Sequence, residues 1–296
     1  MINIAKITVK IVDENDADIK GAKVVFGSFI GADTRKVNSV EGNSDEKGFF
    51  TGTLEATNSV TISAQKEGYY GSDLHYTFKG VKTKRWEPWN PVLKVVLKRI
   101  INPVPMYARD TRKSPIQIPV IGKAAGFDLT AFDWIKPYGK GNHADMFFKV
   151  EKRLTAWNNF ESKLTVSFPN KFDGIQLVKD DRKFGSALVL SRFAPEDGYV
   201  QKLSHFMNQN PGEPRKDDFK DDNNYYIRVR SEVKNGKIVR AMYGKMYGDI
   251  VFDPRISTAQ IIFKYYLNPD YTRNLEFDSR HNLFKDLKPS EQVGIF

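Results

Sequence analysis

The run Lys82-Thr83-Lys84-Arg85-Trp86-Glu87-Pro88-Trp89 joins cations to indole rings within eight positions, and it is the segment best suited to holding a ligand. Flat aromatic faces beside positive charges are what unpaired bases or sugar rings require. Lys84, Arg85, Trp86 and Trp89 are therefore candidate contacts. The bland alternative is that tryptophans next to Pro88 and Pro91 pack a rigid loop onto its own domain or the next one. Trp134 with nearby Tyr138 offers a second aromatic group. Arg228-Val229-Arg230 adds a third feature: in a period-two strand both arginines share one face, which is either solvated or turned to an acidic partner.

Catalytic patterns are missing. No Gly-x-Ser-x-Gly elbow occurs, and no histidine is placed by motif near a serine. His75, His143, His205 and His281 share no ligand spacing, and zero cysteines exclude thiol catalysis, disulfides and cysteine-bound metals. The acidic runs Asp13 to Asp18 and Asp217 to Asn224 carry oxygen atoms but no calcium-loop pattern, and read as solvated turns. Glu196-Asp197, inside Pro195-Glu196-Asp197-Gly198-Tyr199, is the best place for a carboxylate pair, although an Asp-Gly turn explains it more simply. Tyr138-Gly139-Lys140-Gly141-Asn142-His143 lacks the spacing of a phosphate loop. No cofactor and no metal site is expected.

The chain has 296 residues and a net charge of +10. Residues 1–100 carry 15 Lys+Arg against 12 Asp+Glu, and residues 101–296 carry 31 against 24, so the excess is spread thin. Nucleic-acid binders concentrate charge on one stripe, so a nucleic-acid partner is not expected. The N-terminus, Met1-Ile2-Asn3-Ile4-Ala5-Lys6-Ile7-Thr8-Val9, alternates where a secretory signal needs an unbroken apolar core. No window approaches a membrane helix. The chain is expected to be soluble and cytoplasmic as synthesised, with no membrane span.

Strand signals must position all these residues. Residues 4–12, 22–29, 49–54, 60–66, 76–78 and 92–100 read as short strands with turns between them, among them a Gly/Asp-bearing connection after Phe29. Ile101-Asn102-Pro103-Val104-Pro105 opens a Pro-rich connector over 102–118. Beyond it, residues 145–150, 163–168, 187–192, 225–233, 237–243, 246–252 and 259–267 carry strand patterning, and Asn235-Gly236 marks the clearest hairpin. Tyr243 to Asp249 reads as a bend or bulge, and 210–224 as a mobile loop. Only 195–209 and 279–288 are compatible with short helices.

Three ordered motifs, Gly21-Ala22-Lys23-Val24, Ser44-Asp45-Glu46-Lys47-Gly48-Phe49-Phe50 and Val60 through Gly68-Tyr69, resemble the carboxypeptidase regulatory-like domain. That resemblance covers about residues 3–100 and implies a transthyretin-like sandwich that acts as an accessory scaffold without catalytic residues. Gly48 would take a positive φ in the hairpin turn. Runs at 126–141, 193–199 and 243–249 are similar to the C-terminal parts of uncharacterised bacterial proteins that begin with the same domain, a group for which no activity is known.

The expected fold is all-β: a transthyretin-like or immunoglobulin-like sandwich over 1–101, a connector over 102–118 and a larger antiparallel β-sandwich-type domain over 119–296. The expected function is non-enzymatic, a structural subunit whose partners are other proteins of an assembly such as a phage virion (tail, baseplate or capsid decoration). A retained Met1 and the lack of a signal core fit a particle component better than an exported adhesin. The alternatives are a carbohydrate-binding module that uses exposed tryptophans and an unrecognised hydrolase.

Overall fold

Ala5, Ile7, Val9 and Ile11 are fully buried on one face of β1 (Asn3–Asp13), the outcome that their period-two spacing dictates. The computed structural model describes residues 1–29, 37–180 and 185–296, which form two units. Unit 1 comprises Met1–Asn102 and the described part of Arg182–Leu190; unit 2 comprises Pro103–Asp181 and Ser191–Phe296. The Gly/Asp-bearing connection expected after Phe29 lies outside the described residues. The chain is all-β, and among the described residues no helix is long and apolar enough to cross a membrane.

Unit 1 contains β1, β2 (Lys23–Phe29), β3 (Val37–Asn43), β4 (Phe49–Ala56), β5 (Ser59–Gln65), β6 (Ser72–Thr77), β7 (Gly80–Lys82), β8 (Arg85–Glu87) and β9 (Val92–Leu97). One sheet runs β4-β1-β8-β7, with β9 also paired to β1 in parallel; the other runs β6-β5-β2-β3. Their inner faces meet in a core of Ile7, Val24, Phe26, Val60, Ile62 and Leu97. Gly48 has φ +74°, and a Cβ there would stand 2.4 Å from the Ile11 carbonyl oxygen, so only glycine fits the turn into β4. A further strand, β17 in chain order (Gly185–Ser186), pairs antiparallel with β6. The N-terminal unit is therefore not the continuous 1–101 segment that the sequence suggests.

Unit 2 begins inside the expected connector. β10 (Tyr107–Asp110) and β11 (Ile116–Gln117) are paired strands with buried Ala108 and Ile116, so 102–118 is not a free linker. The unit continues with β12 (Ala125–Asp128), β13 (Asp133–Trp134), β14 (Met146–Ala156), β15 (Asn159–Ser167), β16 (Gly174–Lys179), β18 (Lys202–Asn208), β19 (Lys216–Asp217), β20 (Asn223–Lys234), β21 (Lys237–Met246), β22 (Val251–Asp253), β23 (Gln260–Ile262) and β24 (Lys264–Asn268). Three sheets result: β10-β24-β21-β20-β16, β13-β12-β14-β15-β18-β19 and β11-β23-β22. They share one aromatic core, in which Phe127 meets Trp134 edge-on at 5.0 Å and Phe148 stacks on Phe263 at 5.9 Å.

Neither segment compatible with a short helix forms one. Within 195–209 the chain builds β18, and only Pro289–Glu291 makes a single 3-10 turn beyond 279–288. Residues 187–192 hold no strand, whereas the 210–224 segment contains β19. β21 runs through to Met246, so the bend expected from Tyr243 starts later, at Gly248 (φ +76°).

Candidate functional site

The tryptophan run is not an exposed ligand loop. Residues 80–87 form the β7–β8 hairpin, whose turn residues Thr83 and Lys84 have φ of +50° and +60°. Trp86 is 7% exposed, donates its Nε1–H to the Ala56 carbonyl at 2.9 Å and stacks on Phe78 in the core of unit 1. Lys84 and Arg85 are exposed, and the Arg85 guanidinium lies 4.9 Å from the ring of half-buried Trp89. In unit 2, Trp134 is equally buried and donates to the Gln117 carbonyl, while Tyr138 is exposed. Two of the three tryptophans proposed for sugar stacking are thus core residues. The indole that is open to water is Trp157 (63% exposed), at the β14–β15 turn with Arg255 4.2 Å above it. Its sequence signal is weak, because its immediate neighbours are Ala156 and Asn158 and the cation above it, Arg255, comes from a distant part of the chain.

The two arginines also part company. β20 and β21 join through Asn235-Gly236, both left-handed, as that dipeptide predicts. Between Val229↔Met242 and Glu232↔Arg240, however, Arg230 and Ser231 oppose the single residue Ala241. This is a β-bulge with Arg230 at φ +55°. Buried Asp173 pins it, accepting the Arg230 N–H at 3.1 Å and the Ser231 N–H at 2.9 Å. Burial raises the Asp173 carboxyl above its ordinary value, and those N–H groups only partly oppose the rise.

Because of the bulge, Arg230 leaves the face that strict alternation would share with Arg228, which keeps its regular pairing with Tyr243. Arg230 Nε and Nη2 grip Asp145 at 2.7 and 3.0 Å, and Nη2 also reaches Asp128 at 3.0 Å. Burial would raise Asp128, but the Ala131, Asn142 and His143 N–H groups and the Thr130 hydroxyl outweigh it and hold the carboxyl down at about 2. The same contacts account for the glycine-rich loop at 138–143. Its Asn142 and His143 N–H groups are spent on Asp128, and the Lys140 N–H on Asp133, so no phosphate cradle is left.

Arg228 turns the other way, into an open cleft of about 720 Å³ between the β20–β21 hairpin, the Pro195-to-Gly198 turn and the turn after β24. Phe172, Glu196, Asp197, Lys237, Arg240, Tyr243, Tyr271 and Arg273 line it with Arg228. Arg228 is 8% exposed; its Nε and Nη1 each donate at 2.7 Å, to the Phe172 and Glu196 carbonyls, and its guanidinium sits 4.3 Å from the Tyr199 ring. Arg240 stacks on Tyr271 at 3.4 Å. Arg273 donates to the Ala194 carbonyl and pairs with Glu196 at 2.8 Å. Tyr271 itself has φ +65°, a conformation that costs a non-glycine residue about 1–2 kcal/mol. Such strain is often kept where a side chain must be aimed. The Glu196-Asp197 pair singled out in the sequence does border a cleft, although Glu196 is 72% exposed and bridged to an arginine. A general acid in glycoside hydrolysis needs a carboxyl sheltered from both.

A second polar cluster lies at His205, which sits 3.2 Å from Asp218 through Nδ1 and 3.1 Å from Asp249 through Nε2. Tyr225 donates its hydroxyl to Asp249. Among the described residues no serine or threonine hydroxyl bonds the imidazole; the group ties His205 of β18 and Tyr225 of β20 to the segments that carry Asp218 and Asp249. Among the described residues no group of three or more His, Asp or Glu side chains is arranged so that it could hold a metal ion. In the acidic turns, Asp13 accepts the Asn15 and Ala17 N–H groups, and Asp222 pairs with Lys179.

No family model matches the chain, and no curated protein matches it. Among the solved structures to which the chain is similar is one described as "a putative carbohydrate binding protein from Bacteroides uniformis ATCC 8492", at 12% identity and a TM-score of 0.20, covering 88% of this chain and 95% of that one. A TM-score that low leaves the two folds unmatched in detail, and nothing about this chain follows from it.

Proposed function

We propose that the chain is a non-enzymatic binding protein whose second unit takes a saccharide in the Arg228–Arg240–Tyr271 cleft. The observation that carries this reading is the Arg240 guanidinium stacked 3.4 Å from Tyr271 at the edge of an open cleft that Glu196 and Asp197 also border. A sugar presents apolar ring faces together with hydroxyls that both donate and accept. Aromatic rings, planar guanidinium donors and carboxylate acceptors match those needs in one place. Unit 1, with its resemblance to the carboxypeptidase regulatory-like domain, would serve as the accessory scaffold. Glycan-array screening followed by calorimetry tests the reading: Tyr271→Ala should abolish binding of any hit, and binding that survives this change removes the cleft as the site.

A second reading is a protein subunit of a larger assembly. It is favoured by Leu154 and Trp157 at one hairpin end and Val233 and Val239 at another, all exposed apolar side chains at strand ends. A virion setting has no observation of its own in the structure. Light scattering of the isolated chain at rising concentration tests the assembly; a monomer throughout, unaffected by Trp157→Ser, counts against it.

A further inference from the structure

Arg228 is a buried cation without a carboxylate partner. Its two recorded hydrogen bonds go to backbone carbonyls, and among the described residues no Asp or Glu pairs with it. Asp173, which feels its charge, is already spent on the two N–H groups of the bulge. An ionised group taken out of water needs a counter-charge, and carbonyl dipoles replace only part of the lost hydration. The rest of the lining tips the same way. Among the described residues Glu196 offsets Arg273, Arg240 pairs only with exposed Glu232 at 3.6 Å, and Lys237 forms no ion pair. Against Arg228, Lys237 and Arg240 the cleft sets Asp197 alone.

We infer that the ligand of this cleft is acidic: a saccharide whose carboxylate or sulfate group supplies the counter-charge of Arg228 and Arg240. The inference rests on the saccharide reading above and specifies its substrate class. Stacking Arg240 on Tyr271 uses the guanidinium face and leaves its edge held only by the long 3.6 Å approach of exposed Glu232, and that edge is the part that meets a carboxylate or sulfate in a two-point contact. Arg228 at the buried side and Arg240 at the open side would then hold one anionic group, or two on successive sugars.

Calorimetric titration of the full chain with three probes tests this: a uronic-acid tetrasaccharide, the same tetrasaccharide with its carboxyls methyl-esterified, and a sulfated tetrasaccharide of neutral sugars. The expected result is that at least one acidic probe binds about tenfold or more tighter than the ester, and the stronger acidic probe names the anionic group. Arg240→Gln should remove that preference, and added salt should narrow it. Arg228→Lys, checked for folding by circular dichroism, should weaken the acidic probe by a larger factor than it weakens the ester. Equal binding of acid and ester overturns the inference but leaves the saccharide reading standing. Failure of all three probes, with no hit on a glycan array, overturns both. Arg240-dependent binding of a single-stranded oligonucleotide in preference to every sugar also overturns it.

Discussion

Arg230 and Asp145 form a two-point ion pair, at 2.7 and 3.0 Å, that ties the bulge of β20 to the start of β14 in unit 2. Asp145 is fully buried, and burial pushes its carboxyl upward while Arg230 pulls it back. Removing the arginine strands a charge. Arg230→Met should therefore cost about 3 kcal/mol or more in urea unfolding, whereas replacing both partners with apolar residues should recover much of that loss. A double-mutant cycle checks the coupling.

His205 makes stability depend on pH. Burial alone would lower its pKa, but Asp249 and Asp218 outweigh that and raise it above 6.5. A raised folded-state value means that the imidazolium stabilises the fold fully below its unfolded pKa, and that this contribution is lost as pH rises through the folded pKa. Asp249 is lowered from 3.8: burial opposes the shift, and His205 and Tyr225 overcome it, so its contribution is lost as pH falls through its folded value. Urea midpoints of the wild type should decline from about pH 6 toward about pH 8. His205→Gln should flatten that slope, and an unchanged slope would show that another group sets it.

Leu188 is fully buried beside β17, and Lys98 holds its carbonyl at 2.8 Å. Leu188→Ala should destabilise by about 2–5 kcal/mol, the range for a large-to-small change in a packed site. Because the segment belongs to unit 1, melting followed through buried Trp86 should register the loss; an unmoved transition would mean that the segment contributes nothing to that unit.

Gly244 in β21 has no room for a side chain: a Cβ would sit 2.5 Å from the Tyr266 carbonyl oxygen and 2.9 Å from Ile227 Cγ1. Gly244→Ala should lower the melting temperature measurably, at a cost of about 1–3 kcal/mol, by forcing β21 away from β24.

Trp157 should account for the larger share of iodide-quenchable emission, because Trp86 and Trp134 are buried. Trp157→Phe should cut Stern–Volmer quenching sharply. Quenching that persists at full strength would place water at one of the other indoles.

Local chemistry made much of the fold readable. The alternation of Ala5, Ile7, Val9 and Ile11, the positive-φ glycine Gly48 and the Asn235-Gly236 hairpin each depend on a few neighbouring residues, so they appear in the sequence as clearly as in the structure. The β7–β8 turn did not, because its left-handed residues are Thr83 and Lys84, which carry no turn signature. Lys202–Asn208 is compatible with a helix on local grounds, and only its pairing with β15, whose residues lie about 40 positions away, makes it a strand.

The amino-acid sequence by itself determined that this chain is all-β, that its basic excess is diffuse, and that thiol chemistry is excluded. Tertiary structure decided where its polar groups act. Trp86 and Trp134 went into cores, where Phe78, just after β6, and Phe127, on β12, pack against them. Arg228 and Arg230, two positions apart, were sent to opposite tasks by a carboxylate more than fifty residues away. Asp173 holds the extra residue of the bulge, and one extra residue in a strand reverses which face every later side chain takes.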